Sequence, residues 1–264
     1  MFRPRMRARL LALAILPLLA CASSRVSITG EVKYGKTAEE DYQYGVDELG
    51  KSNWTEAQKF LEHVRTKYPF SKYAALADLR LADAKFKQDR FLEAAEAYQA
   101  FSTLHPTHDD ADYADYRAAL SHFKDAPSEF MLFPAAFEKD QRQLKTAVEK
   151  LQVFLKARPD SKHKPEAEAL LGEAQGRLAA HEWYVADFYF KRAHWAGAAG
   201  RLETLLKLYP GSKHEAEAML KLARAYLGQQ ESFRAQQALQ RFLARFPEDA
   251  RRPEAEALLA GLRK

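Results

Sequence analysis

The sequence predicts an all-α fold: a solenoid of about five stacked helical hairpins closed by a C-terminal capping helix. Three observations predict it. First, an alanine stands twelve residues before a proline five times, as Ala57/Pro69, Ala94/Pro106, Ala147/Pro159, Ala198/Pro210 and Ala235/Pro247. Second, eight residues before each proline stand Leu61, Tyr98, Leu151, Leu202 and Leu239, and five before it Val64, Phe101, Phe154, Leu205 and Phe242. With the alanine these positions fall at i, i+4 and i+7, one face of a helix. Third, most units carry an earlier small residue, twenty-four before the proline: Gly45, Ala82, Ala186 or Ala223. A first helix therefore packs antiparallel against the second. A unit repeated in this way stacks into an array whose product is an extended surface.

Residues 1–20 read as a secretion signal. They hold Arg3, Arg5, Arg7 and Arg9 and no acidic residue, followed by an apolar run over 10–20. That run is too short to span a bilayer and has the length of a signal-peptide core. It ends Leu18-Leu19-Ala20-Cys21, which resembles a bacterial lipobox. Cys21 is the single cysteine and the expected lipid attachment site. Acyl chains on it would hold the chain at a membrane, each buried methylene contributing roughly 0.8 kcal/mol. Ala22 follows, where an aspartate would favour inner-membrane retention, so the expected location is the periplasmic face of the outer membrane. Residues 22–36 lack helical periodicity and reach at most about 50 Å, so residues 21–37 read as a lipidated N-terminus and tether. The net charge of +5 belongs largely to the leader: without its four arginines, 37 basic residues face 36 acidic ones. That near-neutral balance gives no electrostatic case for nucleic acid.

Repeats are expected at about 38–70, 71–106, 107–159, 160–210 and 211–247, with a cap over 248–264. The pattern is similar to the tetratricopeptide repeat. Each proline ends its helix, since it has no amide hydrogen and clashes with the preceding turn. Ser71, Ser161 and Ser212 stand where helix N-caps belong. The third unit is enlarged, with helices expected over 112–123 and 141–157 around an insertion at 124–139 containing Phe130-Met131-Leu132-Phe133-Pro134. The fourth is enlarged through one continuous helix over 165–192, rich in Trp183, Tyr184, Phe188, Tyr189 and Phe190, with Trp195 beyond. A last helix over 253–262 caps the array.

No residue set nominates an enzyme. There is no Gly-rich phosphate loop, G-x-S-x-G or H-E-x-x-H. His105, His108, Asp109, Asp110 and Asp112 are too loosely spaced for a metal centre and sit where a polar turn belongs. No cofactor is expected. Arg201 stands out, because three of the other four repeats have an apolar residue there. It would meet either a partner's carboxylate or a fixed internal one. Trp195 and Arg201 are the candidate partner-binding residues, arginine and tryptophan being favoured at interface hot spots. Packing is the competing reading for Trp195. The insertion would be a docking loop or a plug over the groove between repeats.

Taken together, the leader, tether, five repeats and enlarged middle units resemble the BamD (ComL) family. The local matches are Asp41-Tyr42-Gln43-Tyr44-Gly45 through Lys67-Tyr68-Pro69, then Tyr68-Pro69-Phe70-Ser71-Lys72-Tyr73-Ala74, and Trp183-Tyr184-Val185-Ala186-Asp187-Phe188-Tyr189 with Trp195. The Phe/Met-rich insertion departs from the family. The resemblance implies a scaffold of the outer-membrane β-barrel assembly machinery. It would bind unfolded outer-membrane proteins through its first repeats and the periplasmic domains of a BamA-like barrel protein through its last, with accessory assembly lipoproteins nearby. Tyr42 is the candidate substrate-binding residue, with Tyr44 expected to pack. A secretin pilotin or peptidoglycan-synthesis coordinator of the same fold is the alternative.

Overall fold

Five helices end in the same way. The computed structural model describes residues 33–127 and 136–262, and within these α2 (Trp54–Lys67), α4 (Phe91–Leu104), α6 (Arg142–Ala157), α8 (Trp195–Leu208) and α10 (Ser232–Arg245) each stop two residues before a repeat proline. The residue between, Tyr68, His105, Arg158, Tyr209 or Phe246, has φ near −127° and ψ between 52° and 63°. A following proline disfavours the α region at that position. Its N–H still bonds back to the carbonyl of Val64, Phe101, Phe154, Leu205 or Phe242, so the last turn closes before the chain leaves the helix.

The partner helices are α1 (Ala38–Gly50), α3 (Lys72–Lys87), α5 (Ala111–Asp125), α7 (Lys164–Lys191) and α9 (Glu215–Gly228), with α11 (Arg252–Gly261) last. Each helix packs on the next, and α1 with α3 and α5 with α7 also touch, which makes a tetratricopeptide-type array. The five phased alanines are fully buried, as are Leu61, Tyr98, Leu151, Leu202 and Leu239. Smallness is enforced at Gly45, where an added Cβ would come within 2.7 Å of Leu61. In the third repeat the insertion separates the two helices, so the twenty-four-residue spacing fails there. Ala114 and Ala118 of α5 are buried instead.

Four hairpins share one turn. Ser52, Asp89, Ala193 and Gln230 have φ of 62°, 59°, 56° and 63°. The next residue, Asn53, Arg90, His194 or Glu231, donates to the carbonyl five positions back, a Schellman closure. Helix α5 lacks it: Ala126 is extended at φ −66° and ψ 149°, and the chain departs into the insertion.

The serine caps are corrected at two of three sites. Ser71 caps α3, accepting from Tyr73 N at 3.2 Å. Helices α7 and α9 begin later, with His163 and His214 at the cap positions. A tight turn comes first: the carbonyls of Ser161 and Ser212 accept from Lys164 and Glu215. Ser161 Oγ accepts from His163 N and donates to Asp112, tying the third repeat to the fourth.

Candidate binding surface

Tyr42 lies on α1, three residues before the buried Gly45, and is half-buried. Its ring leans on Tyr73, centroids 5.4 Å apart, and its hydroxyl accepts from Arg80 Nε at 3.3 Å. Arg80 in turn donates to Asp83 at 2.5 Å. Burial works against the Arg80 charge, but Tyr42 and Asp83 outweigh it and raise its pKa. Asp83 also accepts from Tyr98 and Tyr113. Burial first, then the Asp83 charge, pushes the Tyr113 hydroxyl up to about 12 and Tyr98 further still. Tyr42 thus stands at the edge of a polar network spanning α1, α3, α4 and α5. Tyr44, expected to pack, is 48% exposed and leans on Phe60 at 5.5 Å. It is one residue off the face that Asp41 and Gly45 bury, so the helical period turns it outward.

Arg201 has an internal partner. Its Nη1 donates to Glu182 of α7 at 3.1 Å. The carboxylate is 4% exposed and the arginine 43%, so one edge of the guanidinium faces outward while the other holds Glu182. Trp195, at the start of α8, is half-buried. Its indole meets Phe190 edge-on at 5.1 Å and covers Gly228, where a Cβ would come within 2.5 Å of the ring. The structure therefore places Trp195 in the contact between α7, α8 and α9, while Arg201 meets α7 through Glu182.

The ends of the third-repeat insertion dock on α7. Arg177 donates to the carbonyl of Pro127, and His181 Nδ1 lies 2.6 Å from the carbonyl of Phe137. Phe137 leans on Tyr184 at 5.0 Å. Gln141, capping α6, donates to the carbonyls of Ala136 and Lys139, both at 2.7 Å. Residues 128–135, with Phe130 and Phe133, and the lipid-attachment candidate Cys21 lie outside the described residues. Beside the insertion is a cleft of about 920 Å³ that no motif in the sequence announces. Gly172, Gly176 and Ala180 of α7 form part of its wall, with Trp183 stacked on His214 at 5.1 Å. Burial, then Lys213, lowers the His214 pKa. Lys221 lies 4.2 Å over Trp183 and bonds Asp187 at 2.6 Å.

His105 and His108 pack against Phe101, each 5.2 Å from its ring. Among the described residues no group of three or more His, Cys, Asp or Glu is placed to hold a metal ion.

The model of the YfiO family, described as an outer membrane lipoprotein, matches residues 35–215 and 197–260. The chain belongs to this family. Its curated relatives carry the name outer membrane protein assembly factor BamD. That of Neisseria meningitidis serogroup A is 31% identical over 215 residues, covering 80% of each chain. That of Haemophilus influenzae is 26% identical, covering 80% of this chain and 82% of its own. That of Caulobacter vibrioides is 24% identical, over 70% and 58%. Among solved structures, the TPR2AB domain of yeast Sti1 aligns over 85% of this chain and 82% of its own, at 14% identity and a TM-score of 0.41. A TPR protein of Thermus thermophilus aligns over 86% and 98%, at 15% identity and 0.35. As a BamD-family member, the chain is an outer-membrane protein assembly factor and associates with that membrane.

Proposed function

We propose that the chain is a lipid-anchored, non-enzymatic scaffold on the periplasmic face of the outer membrane. Residues 1–20 direct export, Cys21 carries the lipid, and residues 21–37 tether a repeat domain over 38–264. The first repeats, with Tyr42, hold an unfolded outer-membrane protein. The last repeats, with Trp195 and Arg201, dock the periplasmic domains of a BamA-like barrel protein, and accessory assembly lipoproteins bind the same body.

The observation that carries this reading is the family match over 35–215 and 197–260, which spans all five helix pairs. The exposed edge of Arg201 and the half-exposed ring of Tyr42 support the division between the two ends of the array.

Mass spectrometry of what co-purifies with the lipidated protein from detergent-solubilised envelopes tests it. Stoichiometric recovery of a large outer-membrane barrel with periplasmic repeat domains is expected. Recovery of a secretin or a peptidoglycan synthase instead would favour the alternative scaffold roles. Tyr42→Ala is expected to weaken client capture while the complex still assembles, and Arg201→Glu to do the reverse. Equal loss of both functions in both variants would sink the division.

A further inference from the structure

On the face built by α1, α3 and α5, Arg117 forms no ion pair among the described residues, its side-chain hydrogen bond going to a tyrosine hydroxyl. Asp83 is saturated. Its Oδ2 accepts from Arg80 Nη1 at 2.5 Å, and its Oδ1 accepts from the hydroxyls of Tyr98 at 2.6 Å and Tyr113 at 2.8 Å. Arg117 on α5 is left with a neutral partner, donating through Nε to the Tyr98 hydroxyl at 3.1 Å. Its guanidinium lies 3.9 Å from the Phe86 ring centroid, with the rings of Tyr98 and Tyr113 at 5.4 and 5.5 Å. Among the described residues, neither terminal nitrogen of Arg117 meets an acceptor, and Arg80 Nη2 meets none either.

The aromatic rings and the Nε bond fix the plane of the Arg117 fork, so little side-chain freedom remains to be lost when a ligand binds. Arg117 and Arg80 are both half-buried, and the attraction of a partly desolvated cation to an anion exceeds its value in water. The flanking tyrosines stay neutral at physiological pH, Tyr113 titrating only at about 12, so they supply no compensating charge. A planar fork with two free terminal nitrogens matches a carboxylate through two parallel bonds.

We propose that Arg117, with Arg80 beside it, receives a carboxylate of a polypeptide bound along α1, α3 and α5. The group is either an acidic side chain or the chain terminus. The inference rests on the reading of this chain as a polypeptide-binding scaffold, and it adds to Tyr42 a charged contact two repeats along the same face.

Fluorescence anisotropy on the purified full-length lipoprotein in detergent micelles tests it with three labelled peptides of one alternating aromatic and polar sequence. The first is amidated with a central asparagine, the second amidated with a central aspartate, and the third a free acid with the central asparagine. A preference of about tenfold for one of the charged peptides over the neutral one is expected, since bidentate charge-assisted pairs are strong. The preference should vanish in Arg117→Gln and fall several-fold in Arg117→Lys, and the peptide preferred identifies the source of the carboxylate. Equal binding of all three by the wild-type chain overturns the carboxylate site and leaves peptide binding standing. Failure to bind any of them overturns the scaffold reading as well. A preference that survives in Arg117→Gln overturns the assignment to Arg117. Circular dichroism checks each variant, and if Arg117→Gln does not fold, the Arg117→Lys comparison decides.

Discussion

Arg201 on α8 holds Glu182 on α7 at 3.1 Å, and the carboxylate is almost wholly buried while the arginine is not. The two partners are therefore unequal. Removing the arginine strands a buried charge, whereas removing the charge leaves a partly solvated arginine. Arg201→Ala is expected to lower stability by about 1–3 kcal/mol, the penalty of an unsatisfied buried group. Glu182→Gln should fall below that range. Denaturant unfolding of both variants checks the order. It also sets the control for partner binding: a docking defect in Arg201→Glu is meaningful only if Glu182→Gln, which keeps Arg201, docks normally. Equal stability of Arg201→Ala and the wild type would show that the pair adds nothing to folding.

Trp195 and Gly228 form a second dependent pair. A methyl group at Gly228 would sit 2.5 Å from the indole. Gly228→Ala should therefore destabilise the α8–α9 contact by about 1–3 kcal/mol, as overpacking does. Gly200, inside α8, has nothing within 4 Å of a built Cβ. Gly200→Ala should instead stabilise by up to about 1 kcal/mol through helix propensity. Opposite signs from the same substitution, read by thermal unfolding, are the outcome to look for. A neutral Gly228→Ala would mean that the Trp195 ring is free to move off Gly228.

The repeat was legible because its determinants are local. The phased alanine, the two apolar sites and the proline lie within one helix, and the structure buries every one of the fifteen apolar positions. The long helix α7 could be followed because no proline interrupts its pattern beyond Pro165, and its isolated glycines Gly172 and Gly176 are tolerated within a helix. What escaped were the relations between helices. Asp83, Arg80 and Arg117 are ordinary charged residues on amphipathic helices until stacking brings the second and third repeats together. The internal partner of Arg201 was one of two open readings, and nineteen residues separate it from Glu182. The caps at Ser161 and Ser212 failed for a local reason: an extra tight turn precedes α7 and α9 and moves the helix start two residues on.

Alkaline pH should unfold the array through its tyrosines. Burial, followed by a hydrogen bond and charge from Glu203, pushes the Tyr226 hydroxyl up to about 12, and burial and Asp83 do the same to Tyr113. In the unfolded chain both titrate near 10. Between those values the unfolded state binds fewer protons than the folded one, so stability falls as pH rises. It should be unaffected by these groups below about pH 9 and decline from about 10 toward 12. Lysines titrate in the same window, so the comparison needed is with Tyr226→Phe, which removes one contributor. Thermal midpoints at pH 8 to 11 should fall less steeply in that variant. Parallel slopes would show that the hydroxyl is not protected by folding.

Asp41 fixes where the chain enters the repeats. It is fully buried, and its two oxygens accept from Gly35 N at 2.6 Å and meet His63 Nδ1 at 2.8 Å. Tyr34 stacks on the same His63 with centroids 3.9 Å apart, and Lys36 N bonds Glu40 at 2.6 Å. Residues 34–36 are thus held against α1 and α2 through the carboxylates of Asp41 and Glu40 and the ring of His63. Asp41→Ala removes the acceptor for Gly35 and leaves His63 without its partner. Hydrogen exchange of the full-length protein should show the Gly35 amide exchanging at least about tenfold faster, since loss of roughly 1.4 kcal/mol of protection corresponds to that factor. Amides in α9 and α10 should keep wild-type rates, because a repeat array passes stability mainly between neighbours. Uniform acceleration along the whole chain would mean that Asp41 supports the entire array, and that the latch cannot open without unfolding it.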